Sequence, residues 1–421
     1  MKKFGLLGLI PLFLWAGMLR AQKEVSVGTH MLADDNIFRN HTGQGDFVAV
    51  PYADLGYQFS PGQDTETLDL FYLGYSGQFF LFRELSRRDF SVHGFSAHYN
   101  HLWPESRNLL AVGGKVETRL NPEDYKYFNY TSGGFYLNYK RYLREDLMLL
   151  AGYNLTGKNF SEFPEFNYLE NIFSIQTSLF LQSRTTLRFS ANYYHKNYLN
   201  SISTLDSVFV EPPPVSGPMP GMGYGYGRGM FLRNLFPEDV GEGFYSYRMR
   251  ADEFPSTDQF KLGFTVAQGL AEGTGITAGY TARLNPRNRN RYLSNLGESV
   301  LNNEELFDDH YSYLGHEGTL QLKQMLPAES ILTLMFTVRS RRFSDRPALD
   351  LEGYPLPSGE DRRDRAVLFE AEFTKRLRPG ISWITDNLEL SVGFGLGSNS
   401  SNDQYYDFND KYFIFALEKA F

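Results

Sequence analysis

Apolar residues in this chain recur at every second position, segment after segment, over almost the whole length. A period of two puts one residue set on each face of an extended strand, whereas a helical face needs spacings of three and four. From Asn108 to Leu120 the even set is Leu110, Val112, Gly114, Val116, Thr118 and Leu120, opposed by Lys115, Glu117 and Arg119. Leu187, Phe189, Ala191 and Tyr193 alternate with Arg188, Ser190, Asn192 and Tyr194. Leu332, Leu334, Phe336 and Val338 alternate with Thr333, Thr337, Arg339 and Arg341, and Val367, Phe369, Ala371 and Phe373 with Glu370, Glu372 and Arg376. Each segment is a strand with one apolar and one polar face.

This alternation predicts strands near 23-31, 46-59, 66-79, 89-101, 108-120, 130-143, 146-158, 168-182, 185-198, 257-269, 274-286, 311-325, 330-343, 365-377, 386-397 and 409-421. Their connections alternate in length. Turn-forming links such as Ser60-Pro61-Gly62, Trp103-Pro104, Arg144-Glu145, Ser183-Arg184, Leu326-Pro327 and Pro379-Gly380 fall between longer loops at 32-45, 80-88, 121-129, 159-167, 199-256, 287-310, 344-364 and 398-408. Soluble all-β domains seldom sustain such long strands in strict up-and-down order.

The chain opens with Lys2 and Lys3, an apolar run from Phe4 to Met18 broken by Pro11, and a small residue, Ala21. This layout predicts a cleaved signal peptide over residues 1-21 and a mature domain over 22-421. Mean hydropathy is negative, at -0.38, and no later stretch is long and apolar enough for a membrane helix. The chain has no cysteine, which excludes disulfides and thiolate chemistry. Removing Lys2, Lys3 and Arg20 leaves 38 basic against 49 acidic residues, a balance that argues against nucleic acid as a partner.

Short turns on one side, long loops on the other and an even strand count resemble Gram-negative outer-membrane β-barrel proteins of porin-like type, over essentially the whole mature chain. The final strand adds to the resemblance: it ends on Phe421, with Phe413, Phe415 and Leu417 on the same face. The resemblance implies that these residues form a recognition strand for the barrel assembly machinery, and that the precursor is delivered to the outer membrane. The fold expected is an all-β, antiparallel up-and-down transmembrane barrel of about sixteen strands, with fourteen to eighteen admissible. Both termini and the short turns would face the periplasm.

Lipid cannot satisfy backbone polar groups, so the strands must close into a ring. The polar parity then faces the lumen. It contains Lys115, Glu117, Arg119, Lys140, Arg188, Lys196, Arg283, Glu317, Lys323, Arg339, Arg341, Glu370, Glu372, Arg376, Glu389 and Glu418. Basic residues are in moderate surplus, which would favour anions, although pairing of Arg339 and Arg341 with Glu370 and Glu372 would remove that bias.

The expected function is passive passage of small polar solutes. A binding or envelope-complex subunit acting through its long loops is the alternative. The loop at 199-256 is rich in Gly, Pro and Tyr, and its Tyr224, Tyr226, Arg228, Met230 and Phe231 suit either a constriction or a contact surface. Enzymatic activity is not expected, because no histidine lies in a catalytic motif and His93 and His101 have opposite strand parity to His98. No cofactor or metal is assigned. Asp34, Asp35 and Asn36 and the Ser400–Asp410 stretch read as solvated acidic patches, with divalent cations bridging to surface glycolipid as the other reading. Outer-membrane lipid is the expected partner, and the sequence leaves open a homo-oligomer or an envelope protein.

Overall fold

A computed structural model describes residues 21–60, 68–200, 245–248, 255–288, 292–295, 309–351, 355–377 and 388–421. The strands run β1 (Ala21–Asp34), β2 (Asp46–Phe59), β3 (Leu68–Phe82), β4 (Phe90–Trp103), β5 (Asn108–Leu120), β6 (Tyr130–Arg144), β7 (Leu147–Phe160), β8 (Tyr168–Leu181) and β9 (Thr185–Tyr198). They continue as β10 (Tyr245–Arg248), β11 (Ser256–Ala271), β12 (Thr274–Arg287), β13 (Tyr292–Asn295), β14 (Leu314–Leu326), β15 (Ser330–Pro347), β16 (Asp361–Leu377), β17 (Leu388–Ser401) and β18 (Phe408–Ala420).

Sixteen of these strands form one closed antiparallel barrel, while β10 and β13 pair with each other in a separate two-stranded sheet. Closure is made by β1 against β18, from Ser26 opposite Ala420 to Asp34 opposite Tyr412. No strand edge of the barrel is left open, as a bilayer demands. A strand of 14 residues, such as β4, rises roughly 35 Å at about 40° tilt, enough to cross an apolar band and both interfaces.

The parity expected from the sequence holds around the ring. Val116, Phe189, Phe264, Leu320, Phe336, Phe369, Phe394 and Phe413 are large, apolar and exposed. An exposed apolar surface repeated from strand to strand around the ring is a lipid-facing surface. Near the short-turn end, the outward rings of Phe59, Phe71, Tyr99, His101, Trp103 and Tyr139 form a continuous row, with successive centroids 4.2–6.5 Å apart. Such rows suit a membrane interface, where an aromatic body meets lipid and its polar tip meets water.

The short-turn end contains tight hairpins. Ala328 and Glu329 both adopt left-handed backbone, with φ of 59° and 54°, in the three-residue link Pro327–Glu329, without the usual Gly or Asn. The β14–β15 ladder, registered from Leu314 opposite Arg342 to Leu326 opposite Ser330, holds this turn in place. Gly273, with φ of 74°, reverses the chain between β11 and β12 at lower steric cost.

The other end departs from simple alternation. Inward positions there include large apolar residues, and the loops fold over them. Ile37 and Phe38 of the first loop pack with inward Val48, Phe80, Phe82 and Phe90 in one buried cluster. The segment expected to begin a strand at 311 begins instead with a 3-10 turn, His310–Ser312, whose preceding Asp309 side chain accepts the Tyr311 amide at 3.2 Å. That cap holds the backbone away from extended geometry until Tyr313.

Candidate functional site: the barrel lumen and its mouth

All of the charged residues assigned to the lumen occupy the parity opposite the exposed apolar set. Lys115, Arg188, Lys323, Glu372, Arg376 and Glu389 are also exposed there, so solvent can reach the inner wall at these positions. Lys140, Arg283, Arg339, Arg341, Glu317 and Glu370 are partly exposed.

Charge pairing differs from the sequence expectation. Arg339 Nε donates to Glu317 Oε2 on the preceding strand at 2.6 Å, not to Glu370 or Glu372 on the following one. Register is the reason. Arg339 stands opposite Ala366, whereas Glu370 stands opposite Met335 and Glu372 opposite Thr333, displaced along the strand towards the short-turn end. Arg341 instead carries its guanidinium 4.9 Å from the Tyr313 ring, with Arg283 at 5.8 Å from the same ring. Arg283 also donates to Gln259 at 3.1 Å, and Lys115 Nζ pairs with Glu117 at 2.6 Å.

A recess of about 350 Å³ opens in the inner wall where β14–β18 meet β1. It is lined by Glu370, Glu372, Glu389 and Glu418, with His30, Gln321, Thr333, Ser391 and Tyr412 among them, and by no Lys or Arg. The Tyr412 hydroxyl donates to Glu370, and Tyr52 hydrogen-bonds Glu418. Eight places around the ring from β17 stands β7. The acidic wall therefore faces strands carrying Lys140, Lys158 and Arg188. The recess is a local concentration of carboxylates, which the overall basic surplus in the sequence did not reveal; outside it the two signs are mixed, with Arg376 opposite Glu389 on the same wall and Glu117 beside Lys115 on β5.

Sequence reasoning also missed how aromatic rings lie on this wall. Tyr52 stands opposite Gly28, Tyr412 opposite Gly395, and His98 and Tyr136 flank Gly113 from its two neighbouring strands. A Cβ built on Gly28 would stand 2.6 Å from the Tyr52 ring, and one on Gly113 would stand 2.7 Å from Tyr136. The glycines are the floor on which the rings lie flat, keeping them out of the channel axis. Tyr52 further stacks on His30 at 5.0 Å, and Tyr136 hydroxyl and His98 Nδ1 are 2.8 Å apart. The signal is a cross-strand Gly–Tyr pair on the polar parity, legible only once register is fixed.

Two residues assigned to the lumen belong instead to the packed mouth. Arg119 is 4% exposed, its guanidinium 3.6 Å from the Phe90 ring and 5.5 Å from Phe128. Lys196 forms a buried ion pair with Asp309 and lies 4.2 Å over Tyr168, 5.1 Å over Tyr198 and 5.4 Å over Tyr311. Arg88 sits between Phe38 and Tyr125, and Arg362 between Phe343 and Tyr406 while also pairing with Asp364 at 2.6 Å. In each case a cation is placed against aromatic faces from a loop or a neighbouring strand, an attraction strengthened by the loss of water. Burial alone would push the Asp309 carboxyl up, but Lys196 and His310 hold it well below the usual carboxylate range. Burial pushes the Asp403 carboxyl up in spite of Arg362.

The candidate loop residues Tyr224, Tyr226, Arg228, Met230 and Phe231 lie outside the described residues, as does the segment before Ala21. On the final strand Phe413 faces outward and is exposed, Phe415 and Leu417 share its parity, and the Phe421 amide donates to Val25 O at 2.8 Å.

No family model matches the chain, and no curated protein matches it. Among solved structures it resembles the outer membrane protein OprD from Pseudomonas aeruginosa at 11% identity and a TM-score of 0.45, over 95% of this chain and 94% of that one. It also resembles Acinetobacter baumannii OccAB1 at 10% identity and a TM-score of 0.45, over 95% and 96% of the two chains. Pseudomonas aeruginosa OccK8 (OprE) matches at 9% identity and a TM-score of 0.43, over 96% and 98%.

Proposed function

We propose that this protein is a passive outer-membrane channel for small polar solutes. The observation that carries the proposal is a solvent-accessible inner wall with a carboxylate recess on β16–β18 and exposed Lys115 and Arg188 on strands elsewhere around the ring. A barrel of sixteen strands is wide enough to hold an aqueous path. Inside it, Glu372 and Glu389 on one side and Arg188 on the other are exposed to lumen water rather than buried in packing. Fixed charges of opposite sign on facing walls orient a dipolar solute and lower the barrier to ions near each wall. The flat-lying rings over Gly28, Gly113 and Gly395 widen the passage at those levels.

The test is conductance of the purified chain in planar bilayers. Stepwise, ohmic current that grows with salt supports a channel. The absence of any current across a wide range of voltage and salt would overturn it.

A further inference from the structure

We propose that the closure seam of the barrel binds a divalent cation of calcium type through Asp34, Asp35 and Asp410. The sequence places the first two 375 or more residues from the third. Ring closure brings them together: β1 ends at Asp34 opposite Tyr412, so Asp410, two residues earlier on β18, lies just beyond the end of the ladder. Asp35 continues that ladder, its amide donating to Lys411 O at 3.1 Å and its Oδ1 accepting the Lys411 amide at 2.7 Å. Asp34 Oδ1 accepts the Asn36 amide at 2.7 Å. The Asp34 and Asp35 side chains are thereby fixed by backbone, and one carboxylate oxygen from each of the three lies within 4.8 Å of the others.

A second observation points to a ligand. Asp410 is only 4% exposed, yet its Oδ1 is buried with no hydrogen-bond donor among the described residues. Buried carboxylate oxygens are ordinarily satisfied, so an orphan beside two further carboxylates marks the place of a missing positive charge. Arg39 does not fill it. Its Nε is 3.7 Å from the other oxygen of Asp410, and its side chain is 51% exposed.

The donor set selects the ion. All three donors are carboxylate oxygens, with no His or Cys among them, which suits a hard cation rather than zinc or copper. Calcium accepts irregular sets of oxygens, whereas magnesium demands near-octahedral geometry and gives up its water reluctantly, so an irregular all-carboxylate cluster suits calcium, with water completing its shell. Bound there, the ion braces the mouth, because the same first loop is tied to the loop before β18 through Asn40 Nδ2 to Tyr405 Oη at 2.8 Å and His41 N to Tyr405 O at 3.0 Å.

The experiment is equilibrium dialysis of the full chain, refolded in detergent without glycolipid, against labelled calcium chloride after removal of metal with chelator. One ion per chain is expected, with a dissociation constant on the order of 10⁻⁴ to 10⁻³ M, as for extracellular calcium modules. Asp410→Asn weakens it at least tenfold, and Asp407→Asn, which changes an exposed carboxylate outside the cluster, leaves it unchanged. Should Asp410→Asn fail to fold, Asp35→Asn provides the same comparison. No saturable site on the wild-type chain, or equal binding in the cluster variants and Asp407→Asn, would overturn the proposal.

Discussion

Lys196 on β9 and Asp309 in the loop before β14 form an ion pair whose side chains are 4% and 2% exposed. The pair joins a barrel strand to an external loop 113 residues away. A buried pair of this kind adds little net stability relative to an apolar contact, but removing one partner leaves an uncompensated charge, at a cost of about 3–5 kcal/mol. Lys196→Met is therefore expected to undock the His310–Ser312 turn while leaving the barrel closed.

The pH dependence of that turn follows from the same pair. In the wild-type protein the Asp309 carboxyl is depressed, so its contribution is complete above the ordinary carboxylate value and is lost only as pH falls below it. Between pH 5 and 7 docking should not change. In Lys196→Met the larger of the two charges that depress the carboxyl is gone and only His310 still opposes burial, so the carboxyl rises and docking is expected to weaken as pH rises. Amide exchange at Tyr311 and Ser312, corrected for intrinsic rate, measures this: equal protection at pH 5 and 7 in the wild type, and less protection at pH 7 in the variant. Better protection of the variant at pH 7 would contradict the assignment.

The carboxylate recess in the inner wall makes a separate prediction. Neutralising the recess with Glu370→Gln, Glu372→Gln and Glu389→Gln together should shift the permeability ratio severalfold towards anions at about 0.1 M salt. The shift should shrink at 1 M, where the screening length falls from about 10 Å to about 3 Å. Removing Arg339 and Glu317 together deletes one charge of each sign from a pair 2.6 Å apart and should leave the ratio unchanged. Reversal potentials across a salt gradient measure both.

What the sequence made legible was set by strand periodicity. The stretches 46–59, 108–120 and 185–198 are strands β2, β5 and β9 as expected, because a period of two with one lipid-facing parity leaves no second register. The lumen parity followed from the same constraint. Pairing did not, because which charge meets which depends on the stagger between strands: Arg339 reached Glu317 and not Glu370. The mouth was hidden for another reason. Phe80, Phe82 and Phe90 sit on the inward parity, where the pattern calls for polar groups, and their apolar partners come from the first loop.

The lipid-facing assignment is testable at one strand. Phe264, exposed at the centre of β11, faces outward, and Thr265 beside it faces the lumen. Phe264→Arg should destabilise the barrel by roughly 2–4 kcal/mol, the cost of a cation near the bilayer midplane. Thr265→Arg places the same side chain in water and should cost far less. Denaturant titration of both variants in lipid vesicles checks the difference, and equal costs would argue against the assigned face.

Closure of the ring depends on Gly28 more than on any chemistry its neighbours contribute. A Cβ there would lie 2.6 Å from the backbone oxygen of Leu417 on β18 and 2.6 Å from the Tyr52 ring on β2. The tyrosine has room to rotate, but the carbonyl belongs to the ladder that seals the barrel. Gly28→Val is therefore expected to cost about 1–3 kcal/mol by overpacking. Gly133→Val, on β6 with nothing within 4 Å of its Cβ, should be close to neutral. Adding Tyr52→Ala to Gly28→Val should recover only part of the loss, because the Leu417 carbonyl still obstructs the new side chain. Full recovery, read from the denaturant midpoint of the double variant, would assign the whole effect to the ring and none to the seam.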